Sequence, residues 1–359
     1  MTRDTTQVSD AAGGGSAAGS GGDGPVTPSP GMPATSPASD VTATSDVPGS
    51  AGSGPAGSSP AVPGPAVAGP AVTETAAAIA AQAAGQAGAE NFPVALRLLP
   101  ARYRAHLAAV YGFARATDDM GDEAPPQQRL ALLDELAADV GRLYRSLSDE
   151  RGCERPRLSV IRALAPAVVA CRIPAQPFLD LIEANRQDQV VSRYQTFEDL
   201  VGYCKLSANP VGRLVLHVFG AATPDREALS DQVCTALQLA EHWQDVAEDL
   251  RAGRIYLPGE DLATFGCGEA DLAAPAAGPK VVALMKFETR RAREMLDAGA
   301  PIVGTLSGAA RVAVAGYVAG GRAALTAIAG ARYDVLSATR KPRKHRLGLE
   351  LVRAYATGR

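Results

Sequence analysis

Long apolar runs are absent from the 359-residue sequence, since no uninterrupted stretch of apolar residues reaches about 18 positions. No membrane-spanning helix is therefore predicted. The nearest approach, residues 301–331, is interrupted by Arg311 and Arg322 and is rich in small residues, which favours close packing inside a helical bundle. The N-terminus also lacks the basic start, apolar stretch and cleavage site of a secretory signal.

The net charge is small, and the sequence contains few cysteines. The 35 basic and 38 acidic residues leave a charge of −3, which argues against a nucleic-acid-binding function. The cysteines are odd in number, widely spaced and free of a CxxC pair, so a disulfide framework or a zinc site is disfavoured. Reduced, mostly buried thiols in a cytoplasmic protein fit this pattern better. The five cysteines are Cys153, Cys171, Cys204, Cys234 and Cys267.

Aromatic residues are missing altogether from residues 1–72, which consist almost wholly of Gly, Ala, Ser, Pro, Thr, Val and Asp. Such a segment cannot bury enough apolar surface to offset its ordering entropy, and we predict that it is disordered. We predict one folded domain over 73–337 and a basic tail over 338–359. The tail contains TRKPRKHR (339–346), which is either solvated or a patch that meets anionic lipid headgroups or a diphosphate.

The folded part has helical periodicity almost throughout, and convincing period-two strands are missing. We therefore predict an all-α domain built as a single helical bundle. A kink or break is expected at Asn209-Pro210, because proline disrupts a helix interior. The predicted helices cover residues 74–88, 101–121, 126–147, 157–172, 176–189, 196–221, 225–252, 279–297 and 307–331.

Two of these helices carry acidic residues at a spacing that costs stability. Glu241, Asp245 and Asp249 recur every four residues, so their charges repel by roughly 0.2–0.5 kcal/mol per pair on an isolated helix. Asp118 and Asp122 have the same spacing. The other faces of both helices are apolar enough for burial, and buried carboxylates in such numbers require cations.

Each acidic stripe includes further polar residues within an arc of roughly 60° to 80° of its helix, at about 100° per residue. The first stripe comprises Tyr111, Arg115, Asp118 and Asp122. The second stripe comprises Gln238, Glu241, Asp245 and Asp249. We expect the two stripes to face one another across a cavity.

A site with carboxylate oxygens and no His or Cys favours Mg²⁺, which is usually coordinated by both protein carboxylates and substrate phosphates. Mg²⁺ on a diphosphate would make it a better leaving group. Arg115 and Arg254 would add bidentate contacts to the same oxygens. The alternative is that the carboxylates are solvent-facing charges, paired with arginines such as Arg102 and Arg251.

Three ordered segments resemble motifs of the squalene and phytoene synthase family. The segment YGFARATDDMGDE (111–123) resembles the family's first aspartate-rich motif, and LQLAEHWQDVAEDLRAGRIYLP (237–258) resembles the second. YCKLSANPVG (203–212) is similar to a Tyr-Cys segment that lines the family's active site. The resemblance spans residues 90 to 335 and implies an isoprenoid-synthase-type bundle with a central active-site cavity.

The resemblance also implies roles for individual residues. Tyr203 matches a tyrosine that steers the carbocation, although a core tyrosine with a satisfied hydroxyl is the alternative. The magnesium-binding carboxylates would be Asp118, Asp122, Asp245 and Asp249, and the catalytic residues would be these four and Tyr203. The residues that contact the prenyl diphosphate would be Asn91, Tyr111, Arg115, Gln238 and Arg254.

Three positions depart from the family pattern. Glu241 stands where Asn is common and can still bind Mg²⁺, whereas Gln244 replaces an Arg and removes a diphosphate contact. The position of a substrate-facing Tyr aligns with Gly321, and Tyr317 lies one turn earlier. These departures bear on the condensation of two farnesyl diphosphates more than on diphosphate ionisation.

Within the family, the chain is most similar to the HpnC-type hydroxysqualene synthases of bacterial hopanoid biosynthesis, through ENFPVALRLLP (90–100), LSANPVGRLVL (206–216) and WQDV (243–246). This similarity implies conversion of presqualene diphosphate and water to hydroxysqualene and diphosphate. No NADPH fingerprint is found, which favours water capture over reduction. The alternatives are a squalene, presqualene diphosphate or phytoene synthase that condenses two prenyl diphosphates, and a non-catalytic scaffold of the same fold.

The expected partners are a prenyl diphosphate substrate, either presqualene diphosphate or farnesyl diphosphate, and neighbouring enzymes of the squalene pathway. Because the product is a lipid, we also expect peripheral contact with the inner face of the membrane. The expected location is the cytoplasm, and no nucleic acid partner is expected.

Overall fold

Helices make up nearly all the regular structure of the chain. The computed structural model describes residues 70–89, 99–148, 154–337 and 344–358, which all belong to the compact unit formed by residues 63–359. Within these ranges there is no strand, only an isolated bridge between Arg193 and Ile255. The predicted all-α class is confirmed.

The helices are numbered here in chain order. They are α1 (Pro70–Ala89), α2 (Ala101–Asp118), α3 (Arg129–Leu147), α4 (Ser159–Cys171), α5 (Gln176–Gln187), α6 (Phe197–Ser207), α7 (Asn209–Val218), α8 (Pro224–Arg251), α9 (Gly259–Thr264), α10 (Glu269–Leu272), α11 (Pro279–Gly299), α12 (Ile302–Thr305), α13 (Gly308–Gly330) and α14 (Lys344–Thr357). The short helices α9, α10 and α12 were not among those predicted from the sequence, and neither was α14.

The boundaries of the longest helix follow from its flanking residues. Helix α8 begins at Pro224, in the first turn where a missing N–H costs nothing, and the side chain of Thr223 accepts from the N–H of Arg226 (3.3 Å). It ends before Gly253, whose φ of +83° lies in the left-handed region that glycine adopts without strain. After this turn the N–H of Arg254 donates to Asp249 O (2.8 Å), which brings the backbone back to the end of the helix.

The predicted break at Asn209-Pro210 is also confirmed. Helix α6 ends at Ser207 and α7 begins at Asn209, so the proline occupies the first turn of a new helix. The Asn209 side chain is buried, and its Oδ1 accepts from Thr235 Oγ1 (2.9 Å) on α8. The interruption therefore ties α7 to the second acidic helix.

The first acidic helix changes its winding at the aspartates. Helix α2 ends at Asp118, and residues Asp119–Glu123 form one π-helical turn in which Ala124 N–H donates to Asp119 O (3.0 Å). The sequence predicted a continuous helix over 101–121, which is wrong at this point. Single π-helical turns are rare in proteins and occur frequently at functional sites.

Two apolar clusters form the core. The N-terminal cluster joins α1 to α5 with part of α7, around Phe113, Leu132 and Phe178. The C-terminal cluster packs α8 against α11 and α13, around Trp243 and Leu296. Helices α2 and α8, which carry the acidic stripes, belong to different clusters, so the space between them lies where the clusters meet.

Helix α13 is the one described helix that is long and apolar enough to cross a membrane. It packs against α8, α11 and α14, and its residues Ala315, Val318 and Leu325 are fully buried in the C-terminal cluster. Helix packing therefore accounts for the apolar character of the buried side of this segment.

The C-terminal residues 344–357 form a helix that packs on α13. Ala354 is fully buried, and the guanidinium of Arg311 donates to the carbonyl oxygen of Tyr355. This part of the predicted tail is therefore ordered against the domain. Most of the predicted leader lies outside the described residues, and the domain boundaries at 72 and 337 remain predictions.

Candidate active site

The two acidic stripes open onto one polar cavity of about 380 Å³. This is the arrangement that the spacing of the carboxylates predicted. The cavity is lined from α2 and its π turn, α5, α6, α8 and the segment after α8. Its lining residues are Asp118, Asp122, Leu181, Ala184, Asn185, Asp188, Tyr203, Ser207, Gln238, Glu241, His242, Asp245, Asp249, Arg254 and Tyr256.

Close packing of α5 sets the position of the first stripe. Asn185 Nδ2 donates to Asp118 Oδ1 (3.3 Å), and a Cβ on Gly121 would lie only 2.2 Å from Asn185 Oδ1. Glycine at 121 is therefore what allows α5 to approach the π turn. Asp118 is exposed to the cavity, and desolvation by the surrounding protein is the largest cause that raises its pKa to about 6.

The second stripe is strained electrostatically. Burial, followed by the neighbouring charge of Asp245, raises the pKa of Asp249 to about 7. Burial also raises the pKa of Asp245 and of Glu241, with Glu248 and Asp245 respectively as the next causes. Each carboxylate is therefore less stable in its charged form than in water, which a cation in the cavity would reverse.

Arg254 joins the two stripes. It follows the Gly253 turn at the end of α8, and its Nη2 lies 3.2 Å from Asp122 Oδ1 on the π turn. Asp122 and Arg254 are 132 residues apart in sequence, so this ion pair is tertiary. Arg254 therefore lies between the two acidic motifs, and its predicted contact with the diphosphate remains a prediction.

An aromatic wall closes one side of the polar cavity. Tyr256 stacks on His242 with ring centroids 3.7 Å apart, and Tyr203 lies 5.5 Å from Tyr194 and 5.8 Å from Tyr256. Burial lowers the pKa of His242 to about 3, so this imidazole is neutral. Tyr203 Oη donates to Asp188 Oδ2 (2.9 Å), which gives its buried hydroxyl a partner.

A second cavity of about 190 Å³, almost entirely apolar, adjoins the polar one. Ser207, Gln238 and Glu241 line both cavities, so the two share a boundary. The apolar cavity is enclosed by α6, α7, α8, α12 and α13. Its other lining residues are Ala208, Val211, Gly212, Val215, Leu216, Ser230, Val233, Cys234, Leu237, Ile302, Val314 and Tyr317.

Tyr317, one turn before Gly321, supplies an aromatic ring to the apolar cavity. A Cβ on Gly321 would lie 2.9 Å from side-chain atoms of both Leu237 and Leu296, so a tyrosine does not fit there. The family's tyrosine is therefore absent at position 321, and Tyr317 places a ring beside α8 in the apolar cavity instead.

The donor set of the polar cavity suits Mg²⁺. Its carboxylates offer hard oxygen ligands, and their raised pKa values indicate a shortage of positive charge. Among the described residues, no three carboxylate, imidazole or thiolate groups form a ready-made metal cage. Mg²⁺ is usually held by one or two carboxylates together with substrate phosphates and water.

Some predicted residues do not line the polar cavity. Arg115 Nε pairs with Asp119 (2.8 Å), and its Nη2 pairs with Glu123 (3.1 Å). Tyr111 is half-buried and is also absent from the lining. Gln244, which was predicted to remove a diphosphate contact, does not line the cavity either. Asn91 lies outside the described residues. The roles given to Asn91, Tyr111 and Arg115 therefore remain predictions.

The sequence did not single out the contribution of α5. Leu181, Ala184, Asn185 and Asp188 follow the spacing i, i+3, i+4, i+7, so they form one helical stripe, and all four line the cavity. The two polar residues within this otherwise buried stripe were the available signal. His242 was missed because it lies beside the acidic stripe of α8, where it resembles a core residue.

Comparison with known proteins identifies the family. The squalene/phytoene synthase model matches residues 86–347, which include all three motifs and both cavities. The chain belongs to the squalene/phytoene synthase family. The resemblance given by the three motifs is therefore confirmed. Hydroxysqualene, phytoene and squalene synthases of this family are enzymes.

Relatives with different products match at similar levels. The hydroxysqualene synthase of Sinorhizobium fredii is 32% identical over 217 residues, 60% of this chain and 70% of that protein. The 15-cis-phytoene synthase of Synechococcus elongatus is 33% identical over 224 residues, 58% of this chain and 70% of that protein. The crystal structure of squalene synthase HpnC from Alicyclobacillus acidocaldarius is 37% identical, with a TM-score of 0.64, and covers 74% of this chain and 97% of that one.

Proposed function

We propose that this protein is a Mg²⁺-dependent hydroxysqualene synthase, which converts presqualene diphosphate and water to hydroxysqualene and diphosphate. One observation carries the proposal: an acid-lined cavity shares a boundary with an apolar cavity. The acid-lined cavity suits a metal-bound diphosphate, and the apolar cavity suits a hydrocarbon chain. A substrate that occupied both cavities would place the C–O bond that breaks at their shared boundary, beside Ser207, Gln238 and Glu241.

The residues of the polar cavity would hold the leaving group. Asp118 and Asp122 on one side, and Asp245 and Asp249 on the other, would hold Mg²⁺, with Glu241 as a further ligand. Bound Mg²⁺ supplies Lewis-acid stabilisation of the charge that develops on the diphosphate. Arg254, Gln238 and the residues of the first motif would orient the same group.

The apolar cavity and the aromatic wall would protect the carbocation. Apolar side chains exclude bulk water, and the ring faces of Tyr203 and Tyr256 offer negative electrostatic potential to a cation. Tyr203 would steer the cation from its position at the rim of the polar cavity. These features favour controlled capture by one water over random quenching.

The product is tested by incubating purified protein and Mg²⁺ with either presqualene diphosphate or farnesyl diphosphate and analysing the extracted lipids. We expect an alcohol from presqualene diphosphate and none from farnesyl diphosphate alone. Squalene or phytoene from two prenyl diphosphates would overturn the proposal in favour of a condensing enzyme. The similar identities to hydroxysqualene and phytoene synthases make this comparison necessary.

A scaffold without catalysis is the second candidate. The retention of all four aspartates at one cavity argues against it, because charges with no ligand would only cost stability. Binding of inorganic pyrophosphate in the presence of Mg²⁺, measured as a thermal shift, separates the two candidates. The absence of any shift in the wild-type protein would favour the scaffold.

We further propose that the protein works in the cytoplasm, at the inner face of the membrane and beside other enzymes of the squalene pathway. Its C-terminal helix α14 supports the membrane contact. Leu349 and Val352 on this helix are 69% and 67% exposed, and Arg353 beside them is also exposed. An apolar stripe flanked by a cation suits an anionic bilayer surface, where a lipid product leaves the enzyme.

A further inference from the structure

The hydroxyl of Tyr203 has a defined direction because of Asp188. Tyr203 Oη donates its proton to Asp188 Oδ2 at 2.9 Å. A phenol that donates to one partner keeps its oxygen lone pairs for another. Both residues line the polar cavity, and Ser207, one turn after Tyr203 on α6, marks the boundary with the apolar cavity. Tyr256 is a second hydrogen-bond partner of the Tyr203 hydroxyl. With its own proton on Asp188 and one lone pair accepting from Tyr256, the Tyr203 oxygen keeps one lone pair for a molecule in the polar cavity.

Asp188 is held in an energetically costly form. Its Oδ1 is buried and has no hydrogen-bond partner among the described residues. Burial raises the pKa of Asp188 to about 6, in spite of the Tyr203 hydrogen bond and the nearby charge of Arg254. A carboxylate that lacks hydration and a full set of donors gains more from a proton than one in water. This makes Asp188 a good terminal proton acceptor.

The other candidate acceptor in the aromatic wall is already engaged. His242 Nε2 lies 3.2 Å from Gln238 Nε2, and because an amide nitrogen only donates, the imidazole nitrogen must accept there. Its ring also stacks on Tyr256 and is buried. The lone pair of His242 is thus used in holding Gln238.

We propose that Asp188 is the positioning residue that receives, through Tyr203, the proton lost by the water that captures the carbocation. This inference rests on the proposed function. The water oxygen forms a bond to the cationic carbon, and one water O–H bond breaks as its proton passes to Tyr203 Oη. The Tyr203 proton moves to Asp188 Oδ2, so tyrosine is restored, the carboxylate becomes a carboxylic acid and the product is a neutral alcohol.

The released diphosphate is the competing acceptor, and substitution of Asp188 distinguishes the two. Asp188→Asn keeps a carbonyl oxygen that accepts from Tyr203 but cannot take up the proton. With presqualene diphosphate and Mg²⁺, we expect alcohol formation to fall about 100-fold, the size of a typical general-base contribution. We expect KM to change less than about threefold and the share of hydrocarbon elimination products to rise. Asp188→Glu should restore most of the alcohol.

The matched control is Asp261→Asn, which removes a buried carboxylate paired with Arg291 (2.8 Å) outside both cavities. We expect its product ratio to stay at the wild-type value. Tyr203→Phe should reproduce the product ratio of Asp188→Asn, and Mg²⁺-dependent pyrophosphate binding should show that each variant is folded.

Wild-type alcohol formation by Asp188→Asn would overturn the inference and leave the proposed function intact, since the diphosphate would then be the acceptor. A wild-type protein that forms no alcohol from presqualene diphosphate would overturn the proposed function and this inference with it. An equal loss of rate with an unchanged product ratio in both Asp188→Asn and Asp188→Glu would indicate a purely structural role, and would also overturn the inference.

Discussion

At the scale of single residues, the polar cavity concentrates carboxylates that are costly in their charged form. Asp118 and Asp249 reach pKa values of about 6 and about 7, and desolvation is the largest cause in both cases. Arg254 lies between the stripes and donates a hydrogen bond to Asp122, and burial also raises the pKa of Asp245. A divalent cation would compensate several of them at once.

The second stripe should therefore control metal-dependent binding. Asp249→Asn removes a proposed metal ligand, and we expect the thermal shift produced by pyrophosphate with Mg²⁺ to fall to less than about a third of the wild-type shift, because the stabilisation by a ligand grows as RT ln(1 + [L]/Kd) and falls when the affinity is lost. Asp297→Asn is the control, since Asp297 pairs with Arg322 on the C-terminal cluster (2.7 Å). An undiminished shift in Asp249→Asn would contradict the assignment of this aspartate.

The close approach at Gly121 gives a second residue-scale prediction. A methyl group there collides with Asn185, so Gly121→Ala should destabilise the fold by about 1–3 kcal/mol, a typical cost of overpacking. The displaced Asn185 should also weaken the hold on Asp118. Chemical denaturation measures the first effect, and pyrophosphate titration with Mg²⁺ measures the second.

Gly202→Ala is the matched control for that prediction. Gly202 lies within α6, and a Cβ there meets no atom within 4 Å. Replacing a helical glycine by alanine should raise stability by up to about 1 kcal/mol. If both variants lost stability equally, the argument from close packing would be wrong.

At the scale of helices, predictability follows the source of each boundary. Helix α8 was predicted to within one residue at each end, because Pro224 and Gly253 are local signals. The π turn at Asp119–Glu123 has no such local signal, and its close contact with Asn185 on α5 is a tertiary feature. The four-residue helices Glu269–Leu272 and Ile302–Thr305 are too short to show a period.

Helix α14 was also not predicted from the sequence, because its apolar residues are sparse and its N-terminal residues are basic. Leu351 and Ala354 face the domain, whereas Leu349, Val352 and Tyr355 are exposed. The helix thus has apolar residues on two sides. One side is explained by packing on α13, and the other is the surface proposed for membrane contact.

Charges on that exposed side should reduce membrane binding. The double substitution Leu349→Glu and Val352→Glu leaves Leu351 and Ala354 in place, so we expect the fold to persist. Co-sedimentation with vesicles rich in phosphatidylglycerol should fall by at least about half, because buried apolar area and attraction to anionic lipid are both lost. Val169→Glu, at a 60% exposed position on α4, is the control. Equal binding by both variants would remove α14 from the membrane contact.

At the scale of the whole molecule, the cavity exists because two apolar clusters meet along polar surfaces. The sequence was sufficient to predict two opposed acidic helices, since residues such as Asp118 and Asp245 carry a repeating signal that survives without tertiary information. Asp188, just after α5, and His242, beside the acidic stripe of α8, are single polar side chains that belong to no repeating acidic pattern. Their place in the site depends on how the clusters are arranged, which no local pattern encodes.

The arrangement predicts a pH dependence for the whole fold. Asp118 and Asp249 bind protons more tightly in the folded state, with pKa values of about 6 and about 7, than at the ordinary value of 3.8. Their contribution to stability is therefore present at low pH and is lost as the pH rises through 6 and 7. The proposed Mg²⁺ site requires the ionised carboxylates, so the gain in Tm on adding Mg²⁺ and pyrophosphate should grow over the same range.

Differential scanning calorimetry across this pH range, with and without Mg²⁺ and pyrophosphate, measures that gain. In the double variant Asp118→Asn and Asp249→Asn the gain should be small at every pH, because neither ionised group remains. Glu288, whose pKa burial raises to about 8, lies outside both cavities and changes metal-free stability in the same direction. Its contribution cancels when the two series are subtracted, since it does not bind the metal. A gain in Tm that is independent of pH in the wild-type protein would show that these two aspartates are not the groups that meet the cation.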